Sequence, residues 1–178
     1  MTHSRRVVLY IAASLDGYIA APGDDLSFLN AVQRENEDYG YAAFMSTVDT
    51  VILGRRTYDW VMSQVPEFPH ANTETYVVTR SPRPQVGKTT FYTGSLRELI
   101  ERLRSQHGQT IFIDGGAQLV HSLLQQDLID EIIVSVIPVL LGDGVRLFHS
   151  GIPQRKLELL RSHSYASGLV QLHYRVVH

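Results

Sequence analysis

Val51-Ile52-Leu53-Gly54-Arg55-Arg56-Thr57-Tyr58 is the stretch on which the reading of this chain turns. Three β-formers without a polar break read as a strand buried on both faces, and Gly54 leaves room for the chain to turn directly into a helix. The helix then begins at the strand's carboxyl end. Its free first-turn N–H groups and dipole, with Arg55, Arg56 and the Thr57 hydroxyl alongside, suit a bound phosphate. On these residues alone, a plain helix start with two solvated arginines fits equally well.

The 178 residues, 44% of them hydrophobic, fit one globular domain over 1–178 with a core and a ligand cleft. A formal net charge of −2 lacks the basic field of sequence-independent nucleic-acid binding, so no nucleic-acid partner is expected. Absence of cysteine excludes disulfides, thiolate nucleophiles and Cys-ligated metals. The histidines show no ligand spacing, so no metal is expected. Met1–Arg6 leads into an apolar run too short for a signal peptide, and no run reaches membrane-spanning length. A cytoplasmic protein without membrane partners is the expectation.

Working outward, Val7–Ala13 reads as a central strand ending in Ser14-Leu15-Asp16-Gly17, and Ala21-Pro22-Gly23-Asp24-Asp25 reads as a mobile loop. Tyr41, Phe44, Met45 and Val48 recur at i, i+3, i+4, i+7, which predicts a helix over 37–48 with Asp38 in its first turn. Strands are predicted at Thr75–Thr79, Thr110–Ile113 and Ile132–Ile137, with a weaker one at Phe91-Tyr92. Ser95-Leu96-Arg97-Glu98 has the spacing of a capping box and opens another helix. Leu119, Val120, Leu123 and Leu124 mark a further helix after Asp114-Gly115-Gly116-Ala117. Lys156–Leu160 and Leu169–Val176 flank a turn as an antiparallel hairpin. This order predicts an α/β fold, a mostly parallel sheet with helices on both faces and a C-terminal antiparallel hairpin.

Ligands of such sheets bind at the carboxyl ends of the strands, where both glycine turns fall. Asp114-Gly115-Gly116-Ala117 lets a backbone approach a diphosphate, or serves as a tight turn with no ligand. Arg80 and Ser81 would stand next to Arg55 if their strands are neighbours, where two arginines can grip a 2′-phosphate. No G-x-G-x-x-G supports an ordinary Rossmann site, and no G-x-S-x-G supports a hydrolase.

Ile11–Ala20, Val51–Tyr58, Val77-Val78-Thr79-Arg80 and Ile113–Ala117, in this order and spacing, resemble the dihydrofolate reductase superfamily over nearly the whole chain. Pro138–Gly144 with Leu147-Phe148 resembles the branch containing the C-terminal reductase domain of riboflavin-biosynthesis deaminase-reductases. The resemblance implies a dihydrofolate reductase-like three-layer fold that binds NADPH. It puts Gly54, Arg55, Arg56 and Thr57 at the phosphates, Thr79, Arg80 and Ser81 at the 2′-phosphate side, and Asp114, Gly115, Gly116 and Ala117 under the diphosphate. Ala13 and Ile19 would line the nicotinamide pocket, and a cis peptide is implied between Gly115 and Gly116. Asp38 takes the place of the carboxylate that holds the substrate ring, partly desolvated and with a raised pKa, or else only complements the helix start.

The activity implied is NADPH-dependent reduction of a small polar heterocycle, of the type 5-amino-6-(5-phosphoribosylamino)uracil reductase. Dihydrofolate reduction and a non-catalytic NADPH-binding protein are the alternatives. Against folate, the Pro-Trp pair after the first strand is missing, and residues 59–75 hold no arginine or lysine for its carboxylate. The riboflavin-pathway reductase usually accompanies a deaminase domain with zinc-ligating Cys and His, a departure that keeps a free-standing reductase as one expectation. A homodimer is implied too, with Ile132–Ile137 or the edge hairpin as candidate contacts.

Overall fold

The computed structural model describes residues 5–178. In chain order the elements are β1 (Val7–Ser14), β2 (Tyr18–Ala20), a 3-10 helix (Ser27–Val32), α1 (Tyr41–Met45), β3 (Val48–Gly54), α2 (Arg55–Gln64) and β4 (Glu74–Val78). They continue with β5 (Thr89–Tyr92), α3 (Leu96–Ser105), β6 (Thr110–Gly115), α4 (Ala117–Gln125), β7 (Glu131–Ile137), β8 (Val145–Arg146), β9 (Lys156–Ser164) and β10 (Val170–Val177). Eight strands form one sheet in the order β5-β4-β3-β6-β1-β7-β10-β9. It is parallel from β5 to β7 and antiparallel across β7, β10 and β9. The predicted α/β architecture with its closing hairpin is therefore the observed one.

Strand alternation splits the core into two layers, because successive side chains leave opposite faces of a strand. Val7, Leu9, Ile52, Ile111 and Ile113 pack with Leu99, Ile100 and Leu103 of α3 and with Leu119, Val120 and Leu123 of α4. Val51, Leu53 and Phe112 face the other way, toward Tyr58 of α2 and Phe44 and Met45 of α1. The organising strand is thus covered on both sides, and Val51, Ile52 and Leu53 are wholly buried. Each such side chain contributes roughly 1.5–3 kcal/mol of transfer free energy as an upper bound. The Ser95 hydroxyl accepts from the Glu98 N–H at 3.4 Å, so the cap read from sequence does start α3.

Two expectations about these elements need correction, and one further feature emerges. The helix over 37–48 shrinks to Tyr41–Met45, because Asn36, Tyr39 and Gly40 all have positive φ and coil the chain ahead of it, while Val48 already belongs to β3. Ile132–Ile137 is not a free surface for a partner: β7 lies inside the sheet between β1 and β10, with Ile132, Ile133 and Ile137 buried. A second small sheet, β2 with β8, was not anticipated. It depends on Gly144 (φ 134°), where a Cβ would come within 2.0 Å of the Ala20 carbonyl oxygen, so that only glycine lets the two segments meet.

Candidate active site

The strand order brings the carboxyl ends of β3, β6 and β1 side by side, and with them the two glycine turns. Leu53 pairs with Gly115, and a Cβ on Gly116 would meet the Thr57 hydroxyl oxygen at 3.3 Å and the Gly54 Cα at 3.7 Å. Gly54 caps α2 with extended backbone and no side-chain bond, leaving the first-turn N–H groups of α2 facing this junction without a side-chain cap. Two sequence-predicted cradles are therefore parts of one surface. The Gly115–Gly116 bond is trans, not cis, as is every peptide bond among the described residues. Positive φ at both glycines (115° and 85°) makes the turn instead, so it is built otherwise than the resemblance implies.

The predicted cofactor residues are arranged unevenly around this junction. Because β3 and β4 are adjacent, with Gly54 opposite Val78, Arg55 and Arg80 do share one rim. Arg55 donates to Asp59 at 2.8 Å, and Arg56 forks onto both oxygens of Asp24 at 2.8 Å. Arg80 is exposed and makes no ion pair among the described residues. Thr79 is buried, and its hydroxyl accepts from the Ser81 N–H at 3.1 Å, so it shapes the turn that presents Ser81. Ala117 is buried at the start of α4. Ala13 is likewise buried, with Ile19 packed against the same cluster. Asp114 departs from its assignment: its carboxylate leaves the opposite side of β6 from Ile113 and lies 3.5 Å from His70 Nε2. Burial, with the Asp114 charge next, pushes the Tyr41 hydroxyl up to about 12.

On that side of the sheet, β1, β7, the 3-10 helix and the segment before α1 enclose a cleft of about 410 Å³. Tyr10, Ala12 and Ser135 form its floor, Val32 and Leu29 one wall, and Asp38 its rim. Tyr10 stacks on Phe44 at 4.7 Å, and the Gln171 amide donates to Tyr10 Oη (3.0 Å) and Ser135 Oγ (3.1 Å). Sequence reasoning missed Tyr10, Ser135, Gln171 and His70. Each occupies a regular strand or loop position whose polarity gains meaning only when distant strands meet.

Asp38 is in the cleft but not in the state expected. Its carboxylate accepts from the Gly40 N–H and the Ala42 N–H at 2.9 Å each, and is exposed. Those bonds, the one from Ala42 first, hold its pKa below the usual carboxylate value rather than above it. Just past the carboxyl end of β1, Asp16 accepts from the Ser14 hydroxyl (2.6 Å) and from the N–H groups of Leu141 and Gly142, which bring it down to about 2. It thereby ties the loop after β1 to the one after β7.

A mostly parallel sheet with a closing antiparallel pair, paired glycine turns on one rim and a separate cleft over β1 and β7 is a dihydrofolate reductase-like fold. The profile of the RibD C-terminal domain matches residues 5–171, and the chain belongs to that family. It is 44% identical to the Bacillus subtilis protein YwjB over 171 residues, covering 96% of this chain and 97% of YwjB. The crystal structure of a protein from Shewanella sp. PV-4 assigned to riboflavin biosynthesis superposes with a TM-score of 0.87 at 31% identity, covering 97% of this chain and 99% of that one. Dihydrofolate reductase from Enterococcus faecalis, solved with NADP(H), shares the fold at a TM-score of 0.68 and 16% identity, with 97% of each chain covered.

Proposed function

We propose that this chain is an NADPH-dependent reductase of a small polar heterocycle, of the type 5-amino-6-(5-phosphoribosylamino)uracil reductase. The observation that carries the reading is the junction of Gly54, Thr57 and Gly116, an open backbone cradle flanked by arginines and next to a separate cleft. NADPH supplies the hydride. The chain's own part is to bind and orient: Gly115 and Gly116 offer backbone to the diphosphate, and Arg55, Arg80 and Ser81 face the 2′-phosphate. Arg56 reaches a phosphate once Asp24 yields it, and Ala13 and Ile19 wall the nicotinamide side. Asp38 and the Tyr10–Ser135 floor orient the substrate ring.

NADPH is expected to bind roughly ten- to a hundredfold more tightly than NADH, the worth of a charge-assisted phosphate contact. Fluorescence titration with both cofactors measures this, and equal dissociation constants reject the arginine assignment. Following NADPH absorbance with dihydrofolate and then with the aminouracil ribosyl phosphate tests the activity, and oxidation with neither leaves a cofactor-binding protein only. A homodimer is part of the proposal, with the hairpin face bearing exposed Leu157, Leu159 and Leu160 as its contact. Sedimentation at micromolar concentration is expected to give twice the chain mass, and a monomer discards the dimer.

A further inference from the structure

Asp59 joins two arginines that are far apart in sequence. Arg55 donates to it at 2.8 Å from one turn earlier in α2. Arg83, in the segment between β4 and β5, grips both of its oxygens at 2.8 and 3.3 Å. Arg83 is also braced from below, its guanidinium lying 5.4 Å from the centre of the Phe91 ring. A guanidinium has five N–H donors, and these contacts use one from Arg55 and two from Arg83. With Arg80 exposed beyond the neighbouring strand end, three cations share this rim against the single Asp59 carboxylate. Each guanidinium held by Asp59 keeps spare donors in a fixed orientation, and such pre-organisation lowers the ordering cost of gripping an anion.

We infer that Arg83 is a further member of the cofactor site, a recognition group for a phosphomonoester, and that Asp59 is a positioning residue that aims Arg55 and Arg83 at it. The inference rests on the NADPH reading above and assigns its discrimination between phosphorylated and unphosphorylated adenosine ribose to residues outside the glycine-turn motifs.

Positioning and simple electrostatics predict opposite signs for one variant. Asp59→Asn removes a negative charge, so Coulombic attraction alone would tighten binding of any anion there. Loss of the brace instead loosens it. Isothermal titration of the full-length wild type, Asp59→Asn and Arg83→Gln with NADPH, NADH, adenosine 2′,5′-bisphosphate and 5′-AMP separates the two. Arg83→Gln is expected to weaken NADPH and the bisphosphate roughly tenfold and Asp59→Asn roughly three- to tenfold, with NADH and 5′-AMP within about twofold in both. The unchanged probes also report that each variant is folded. Equal or tighter NADPH binding by Asp59→Asn, or an unchanged preference in Arg83→Gln, overturns the inference while a wild-type preference for NADPH leaves the cofactor reading standing. A wild type that binds NADPH no better than NADH brings down both.

Discussion

Asp38→Asn is expected to keep the fold and lower turnover roughly ten- to a hundredfold, the effect of losing one charge-assisted acceptor. Asparagine caps helices about as well as aspartate, and its one oxygen retains one of the two bonds now made to Gly40 and Ala42. What it removes is the charge at the cleft rim. The expected loss is smaller than the roughly 10²–10⁴ of a positioned acid–base group, because a carboxylate whose pKa is lowered stays ionised near neutrality and has no proton to deliver. The sign follows directly: the ionised form is present above the ordinary carboxylate range and is lost only as pH falls below it. Turnover should therefore show no ionisation from Asp38 between pH 5 and 8, bounds taken roughly from the usual titration window of histidine. Steady-state NADPH oxidation with the aminouracil ribosyl phosphate, run across that range for both proteins, checks the two statements. Unchanged turnover in the variant would leave Asp38 a helix cap and nothing more.

Phe112→Ala should be the most damaging single truncation on the cleft side of the sheet. Phe112 is 1% exposed at the centre of β6, with Phe44 edge-on at 5.2 Å and Tyr10, Tyr41 and His70 around it. Removing a buried phenyl ring costs about 3–5 kcal/mol in transfer and cavity terms. For a domain of this size each kcal/mol lowers the melting temperature by roughly 2–4 °C, so a fall of about 10 °C is expected by calorimetry. Its loss also frees Tyr10, which forms the cleft floor, so substrate affinity should weaken alongside. A drop of less than about 3 °C would mean that the layer collapses onto the gap and that the aromatic cluster does not hold the cleft open.

The sheet was legible because apolar runs such as Val51–Leu53 and Ile111–Ile113 are dictated by burial on both faces, a local signal. The glycine turns were legible for the same reason, each being one short strand-to-helix junction. The start of α1 was not: Tyr41, Phe44 and Met45 carry a helical period, but periodicity is blind to the left-handed residues Asn36, Tyr39 and Gly40 that hold the helix back until Tyr41. Nor could Asp38's state be read, since it depends on which backbone N–H groups its oxygens reach. The Asp59–Arg83 contact joins residues on α2 and on the segment after β4, and no pattern in sequence announces a meeting made by strand order. His70 beside Asp114 was hidden likewise, in a stretch that reads only as a polar connection.

β1 pairs only with β6 and β7 in the main sheet, Val7 lying opposite Ile111 and Val8 opposite Glu131. As the chain leaves the ribosome, this strand waits through roughly a hundred further residues before either neighbour exists, a separation that makes folding slow and late. Meanwhile Val7–Ala13 is an apolar ribbon with both hydrogen-bonding edges open, the kind of segment that captures other nascent chains. The central place that gives β1 its protection in the finished molecule makes it the most vulnerable strand during synthesis. Chaperone demand should accordingly fall once Ile137 has emerged.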